Sequence, residues 1–144
     1  MDAGSIPSPR PRGVGIDLAE PDAFEHLDAT AIERAADRWL SPAELAWCSA
    51  QPSFARALVT VLSCKESVYK AVGGSVPVQA VTVAMQGGWP RGWALASEVG
   101  PDPVTLWWDC ASRHILTVGV AGPPGPARLV LSRIIFGRRS AESS

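Results

Sequence analysis

The period of the hydrophobic pattern changes twice along the chain, and the order of these changes limits the folds that the sequence can adopt. Apolar residues alternate at 14–18, which predicts a strand, and recur at helical spacing through 30–72. From Val76 onward, short β-rich stretches alternate with turns that contain Gly and Pro, and these stretches, which include VPVQAVTVAM (76–85) and RLVLSRIIF (128–136), are predicted to be strands. The sequence therefore predicts an α+β fold with an early strand, a helical middle that contains one long helix, and a late antiparallel sheet.

Size and charge exclude several classes of protein. The 144 residues include 13 basic and 14 acidic side chains, for a net charge of −1, whereas general nucleic-acid binding needs a cationic excess. No apolar run approaches the roughly 18 residues of a membrane span. We therefore expect neither nucleic acid nor membrane as a partner. The N-terminus lacks the apolar core of a signal peptide and the three cysteines show no CxxC spacing, which predicts a cytoplasmic protein.

The two ends of the chain differ in composition from the rest. Residues 1–12 contain three prolines among small and basic residues, which is typical of a mobile arm. The last eight residues, 137–144, have the composition of a polar tail. We therefore expect one domain over residues 13–136.

The first strand carries a carboxylate on one of its faces. Val14, Ile16 and Leu18 alternate with Gly15 and Asp17. If the three large apolar side chains face the core, Asp17 lies on the opposite face, near the end of the strand.

Two capping boxes predict the starts of two helices before the long one. Thr30 and Glu33 have the required spacing, as do Ser41 and Glu44. In the second box a proline follows at the first helical position, where its missing N–H group does no harm.

The longest helix is expected from about Ser53 to Val72, where Gly73 provides a left-handed stop. It carries Lys65, Glu66 and Lys70 within an otherwise apolar stretch. Glu66 and Lys70 are spaced i, i+4 and share one face, so a surface ion pair is the commoner interpretation. Charge inside an apolar helix is costly without a partner, however, which favours a functional role.

Asp17 and Glu66, together with nearby lysines, suit a magnesium site that holds a phosphorylated substrate. Magnesium takes one or two protein carboxylates and fills its remaining positions with water and phosphate oxygens. Lysine then neutralises charge on the same phosphates.

Two stretches resemble the paired signature of the 4′-phosphopantetheinyl transferases. GIDLAE (15–20) resembles its G-x-D element, and SCKESVYKA (63–71) resembles the later K-E-x-x-x-K on a helix. The 49 residues from Asp17 to Glu66 suit the short, holo-acyl-carrier-protein-synthase type, and RWLSPAEL (38–45) is similar to a segment of that group. WWDCASRHILTVGV instead resembles the longer surfactin- and enterobactin-type enzymes.

The resemblance implies Mg²⁺-dependent transfer of 4′-phosphopantetheine from coenzyme A to a serine of an apo acyl or peptidyl carrier protein, releasing adenosine 3′,5′-bisphosphate. By position, Asp17 and Glu66 would bind Mg²⁺, and Glu66 and Lys70 would be catalytic. Lys65 and Lys70 would bind coenzyme A. The amide of Gly73 is a further candidate for a phosphate contact. The resemblance also implies a fold like a single half of the longer enzymes, and a homotrimer with coenzyme A between subunits.

Two other functions remain open. Ala23 stands where the short-type enzymes carry an arginine that grips the carrier protein. A non-catalytic relative that binds carrier proteins is therefore one alternative, and a coenzyme A-binding subunit that regulates another enzyme is a second. The presence of Asp17, Glu66 and Lys70 together favours the enzyme.

Overall fold

The computed structural model describes residues 13–24, 26–111 and 113–143, with the backbone alone at Ala23 and 137–143. The arm expected at residues 1–12 lies outside this part of the chain. The elements in chain order are β1 (Val14–Ala19), α1 (Ala29–Trp39), α2 (Pro42–Ser49), α3 (Phe54–Ala71), β2 (Ala84–Gln86), β3 (Arg91–Ala96), β4 (Val104–Asp109), β5 (Ile115–Ala121) and α4 (Pro124–Ser143). None of the described helices is long and apolar enough to cross a membrane.

The five strands form one antiparallel sheet in the order β1-β5-β4-β3-β2. The early strand β1 pairs with the last strand, β5, with Asp17 opposite Thr117. Helix α3 packs against one face of this sheet, and α4 packs against β4 and β5 on the other face. The predicted α+β fold, with helices in the middle and an antiparallel sheet, is therefore confirmed.

The larger core lies between α3 and the sheet. Val61 and Val68 of α3 are completely buried, as are Leu106 and Trp108 of β4. Burial of each such side chain contributes about 1.5–3 kcal/mol. This core fixes α3 across the sheet, and α3 carries most of the predicted site residues.

The large apolar side chains of β1 do not face the core, so the condition considered for Asp17 is not met. Ile16 and Leu18 are 55% and 63% exposed, whereas Gly15 is buried and Asp17 is partly buried against α3. The reason is that the α3 backbone approaches β1 too closely for a side chain at Gly15. The face of β1 with small and polar residues therefore points inward.

The stretch RLVLSRIIF was expected to be a strand but belongs to helix α4. Ala127 and Leu131, four residues apart, are buried against Val118 and Val120 of β5, and Ile135 continues the same helical spacing. The helix also continues through Ser143, which includes most of the expected polar tail.

The predicted strand VPVQAVTVAM (76–85) is also largely wrong. Residues Val78–Ala80 form a 3₁₀ turn, and strand β2 begins only at Ala84. Between these elements, the amide of Val83 donates to a carboxylate oxygen of Glu44 at 2.7 Å. The Glu44 side chain thus accepts the hydrogen bond that a backbone carbonyl oxygen of a neighbouring strand would accept in a sheet.

Helix caps were predicted with mixed success. Asp28, not Thr30, caps α1, because its carboxylate accepts a hydrogen bond from the amide of Ala31 at 2.8 Å. The capping box of Ser41 and Glu44 is confirmed at the start of α2.

Candidate active site

A polar network joins α3 to strand β5 within the otherwise apolar interface. The Ser67 hydroxyl donates to the Thr117 carbonyl oxygen at 3.1 Å and lies 2.5 Å from the Thr117 hydroxyl. The Thr117 hydroxyl donates to the carbonyl oxygen of Ser63 at 3.0 Å. Since buried polar groups are costly without partners, these contacts favour one position of α3 against the sheet.

Asp17 lies at the edge of this network, with both carboxylate oxygens engaged. Oδ2 accepts a hydrogen bond from the Ser63 hydroxyl at 2.6 Å, and Oδ1 lies 3.2 Å from Nζ of Lys70. Lys70 Nζ also donates to the carbonyl oxygen of Ile16 at 3.0 Å. The side chain of Asp17 is 19% exposed and that of Lys70 is 47% exposed. The carboxylate is therefore held in place, while the ammonium remains accessible to an anion.

The glycine of the G-x-D element permits this close contact. A Cβ atom at Gly15 would lie 1.9 Å from the carbonyl oxygen of Ser67 and 2.8 Å from the amide nitrogen of Ala71. Both are backbone atoms of α3, so no side-chain rotation would relieve the overlap. Gly15 thus allows Asp17, two residues later on the same face, to reach Lys70.

Glu66 lines a pocket of about 610 Å³ beside α3. The lining residues are Trp39, Leu62, Glu66, Tyr69, Pro77, Val78 and Gln79. Glu66 is partly buried, and within the described residues its carboxylate has neither an ion pair nor a hydrogen bond. A carboxylate in a largely apolar pocket without a counter-charge is available to a cation or to the proton of a ligand.

The position of Glu66 on α3 relates this pocket to Asp17. Ser63 and Lys70, three residues before and four after Glu66, both contact Asp17. Tyr69, three residues after Glu66, lines the pocket. At about 100° per residue, Glu66 lies between these two faces of the helix. Asp17, Glu66 and Lys70 are thus brought to neighbouring positions on one side of α3.

The two carboxylates are compatible with magnesium. Among the residues that the structure describes, no three His, Cys, Asp or Glu side chains form a metal-binding cluster. Magnesium does not need such a cluster, since one or two carboxylates suffice when water and substrate phosphates complete its shell. The assignment of Asp17 and Glu66 as its ligands stays a prediction.

Two other predicted site residues have partners inside the protein. The Lys65 side chain is 2% exposed, and its Nζ lies 2.8 Å from Oε1 of Glu44 and donates to the Trp39 carbonyl oxygen at 2.7 Å. Gly73, with φ of 68°, ends α3 as predicted, and its amide donates to the Lys70 carbonyl oxygen at 3.1 Å. In this structure Lys65 therefore does not reach a ligand in solution, and the Gly73 amide is already bonded.

Several residues of the site were not identified from the sequence. Ser63 and Ser67 did provide a signal, because two serines at i, i+4 in an apolar helix require buried partners. Thr117 provided none, since it lies 50 residues from Ser67 and meets it only through the fold.

The cysteines are not candidates for a nucleophile. All three are free and buried. Burial raises the pKa of Cys48 to about 12 and that of Cys110 to about 11, and it raises the pKa of Cys64 well above its ordinary value. Because the thiolate is the reactive form, the cysteines serve as packed apolar side chains.

Comparisons with known proteins identify the family of this chain. Residues 13–87, just over half of its length, match the family described as the 4′-phosphopantetheinyl transferase superfamily. The structure is similar to that of holo-[acyl-carrier-protein] synthase from Neisseria meningitidis, with a TM-score of 0.62 and 19% identity over 79% of this chain and 100% of that chain. A search of curated proteins found no match. The chain therefore belongs to the 4′-phosphopantetheinyl transferase superfamily, as a 4′-phosphopantetheinyl transferase with the fold of a holo-acyl-carrier-protein synthase.

Proposed function

We propose that the protein transfers the 4′-phosphopantetheine group of coenzyme A to a serine of an apo acyl or peptidyl carrier protein in a Mg²⁺-dependent reaction. Adenosine 3′,5′-bisphosphate is the second product. The carrier belongs to fatty-acid, polyketide or peptide synthesis, and the reaction takes place in the cytoplasm.

One observation carries this proposal. Asp17 and Lys70 are in contact, and Glu66, on the same side of α3, lines a pocket whose other lining residues are mostly apolar. Two carboxylates and an accessible ammonium suit a magnesium-bound pyrophosphate. The apolar walls formed by Trp39 and Leu62 suit the pantetheine arm.

The proposed reaction forms one bond to phosphorus and breaks another. The hydroxyl oxygen of the carrier serine bonds to the phosphorus that bears pantetheine, and the bond from that phosphorus to the bridging oxygen breaks. Glu66 takes the hydroxyl proton, directly or through water. Mg²⁺ held by Asp17 and Glu66 would neutralise charge on the pyrophosphate.

Lys70 has two roles in this proposal. Its ammonium, 3.2 Å from Oδ1 of Asp17, holds that carboxylate in position before the substrates bind. Because its side chain is nearly half exposed, it also binds the phosphates of coenzyme A. Lys65 is not assigned a contact with coenzyme A, since its Nζ is bonded to Glu44 and to the Trp39 carbonyl oxygen.

The proposed assembly is a homo-oligomer, with a trimer as the expected state. Ile16 and Leu18 expose apolar side chains on the outer face of β1, and Leu18 pairs with Leu116, which is 36% exposed. Neighbouring exposed apolar side chains are typical of an interface rather than of a free surface. These residues are the first to test for contact between subunits.

Intact-protein mass spectrometry tests the function directly. Several purified apo carrier proteins would each be incubated with the protein, coenzyme A and magnesium. Asp17→Ala, Glu66→Ala and a reaction with chelator would run in parallel, with Glu98→Ala as an exposed acidic control away from α3. We expect a mass gain of one phosphopantetheine group that persists in the control and is lost in the other three.

The outcomes separate the enzyme from its alternatives. Transfer that survives both Asp17→Ala and Glu66→Ala would contradict the proposed site. A folded protein that binds coenzyme A but modifies no carrier would instead favour the non-catalytic binding module.

A further inference from the structure

A buried ion pair connects three helices, and one of its members, Lys65, is the neighbour in sequence of the pocket residue Glu66. Nζ of Lys65 on α3 lies 2.8 Å from Oε1 of Glu44 on α2, and the two side chains are 2% and 0% exposed. The same Nζ donates to the carbonyl oxygen of Trp39, the last residue of α1, at 2.7 Å. One ammonium thus joins α1, α2 and α3.

Glu44 extends this connection to the segment that precedes β2. Its Oε2 accepts a hydrogen bond from the amide of Val83 at 2.7 Å, and its Oε1 accepts one from the amide of Ser41 at 2.8 Å. Both oxygens of this buried carboxylate are therefore satisfied. A buried ion pair with saturated hydrogen bonds specifies one arrangement of the segments that it joins, because any other arrangement leaves a charge unpaired.

Two of the segments joined to α3 in this way carry residues that line the pocket. Trp39 is one of these lining residues, and residues 77–79, shortly before Val83, are the others. Neither Lys65 nor Glu44 lines the pocket itself. We infer that Lys65 and Glu44 are positioning residues, which fix Trp39 relative to residues 77–79 in the lining of the pocket and thereby set the affinity for coenzyme A.

This inference rests on the proposed function, in which coenzyme A occupies the pocket. Loss of either partner leaves the other buried without a counter-charge, so a general loss of stability is expected as well. A positioning role predicts an additional effect on coenzyme A binding that a destabilised core does not produce. The test therefore compares variants with equal loss of stability.

The test measures KM for coenzyme A, kcat and the melting temperature of Lys65→Met. Leu58→Ala is the matched control, because Leu58 is a completely buried residue of α3 that does not line the pocket. We expect KM to rise about tenfold in Lys65→Met with kcat changed by less than about threefold, and neither constant to change in Leu58→Ala. Combining Lys65→Met with Glu44→Gln should cost less than the sum of the single effects.

Amide hydrogen exchange gives a second readout that needs no activity. We expect faster exchange at Val83 in Lys65→Met and not in Leu58→Ala. If Lys65→Met does not fold, Glu44→Gln provides the same comparison, because it removes the charge and keeps an acceptor oxygen. Equal KM values in the variant and control, with unchanged exchange at Val83, would overturn the inference. If the unmodified protein transfers nothing, the proposed function fails, and exchange at Val83 alone decides the positioning role.

Discussion

Replacement of Gly15 by alanine tests whether the close approach of α3 to β1 creates the site. The added Cβ would lie 1.9 Å from the Ser67 carbonyl oxygen, and an ordinary contact of 3.4 Å requires the two elements to separate by about 1.5 Å. Such a movement would break the 2.6 Å hydrogen bond between Ser63 and Asp17. Overpacking of this kind costs about 3 kcal/mol, and each lost hydrogen bond adds about 1 kcal/mol. We therefore expect the melting temperature to fall by roughly 15 °C.

Urea unfolding and the carrier-modification assay measure the two consequences of this substitution. Gly119→Ala is the matched control, because Gly119 pairs with Gly15 across the sheet. A Cβ there would meet methyl groups of Val104 at 3.0 Å and Leu106 at 3.2 Å, which are side chains that can shift. We expect Gly119→Ala to lose about 1 kcal/mol and to keep its activity. If Gly15→Ala is as stable as this control and transfers at the unmodified rate, the close approach does not position Asp17.

Two further predictions concern pH and assembly. Burial raises the pKa of Cys48 from 9.0 to about 12. As the pH rises, the thiol therefore loses its proton at a lower pH in the unfolded protein than in the folded protein, and the free energy of unfolding falls between pH 9 and pH 12. The fall is about 1.4 kcal/mol per pH unit, and urea unfolding should show a shallower pH dependence in Cys48→Ala; equal slopes would contradict this prediction. Ile16→Glu places a carboxylate on the exposed apolar face of β1. Size-exclusion chromatography with light scattering should then show a monomer of 15.2 kDa. The unmodified protein and the variant Thr82→Glu, a control at an exposed position, should remain oligomeric. An oligomer that persists in Ile16→Glu would exclude this face as the interface.

Local signals were the most reliable part of the sequence-based prediction. The capping box at Ser41 and the stop at Gly73 are confirmed, and each depends on residues within one helical turn, whereas the equally local box at Thr30 was wrong because Asp28 caps that helix. The α4 segment was mispredicted because apolar residues with β propensity also fit a helix when every fourth one is buried. Ala127 and Leu131 meet β5, a contact that no short window of sequence contains.

In the candidate site, too, local relations could be predicted from the sequence and contacts between distant residues could not. A spacing of four residues places Glu66 and Lys70 on one face of a helix, and the sequence alone is enough to predict this. The tertiary structure is needed to show that Asp17 points toward Lys70, because the inward face of β1 depends on the space that Gly15 leaves for α3. It also decided that Lys65 is buried, since its partner Glu44 lies on another helix. Contacts between distant segments are set by packing of the whole chain. For this reason the sequence was enough to identify the residue types of the candidate site, but not their positions relative to one another.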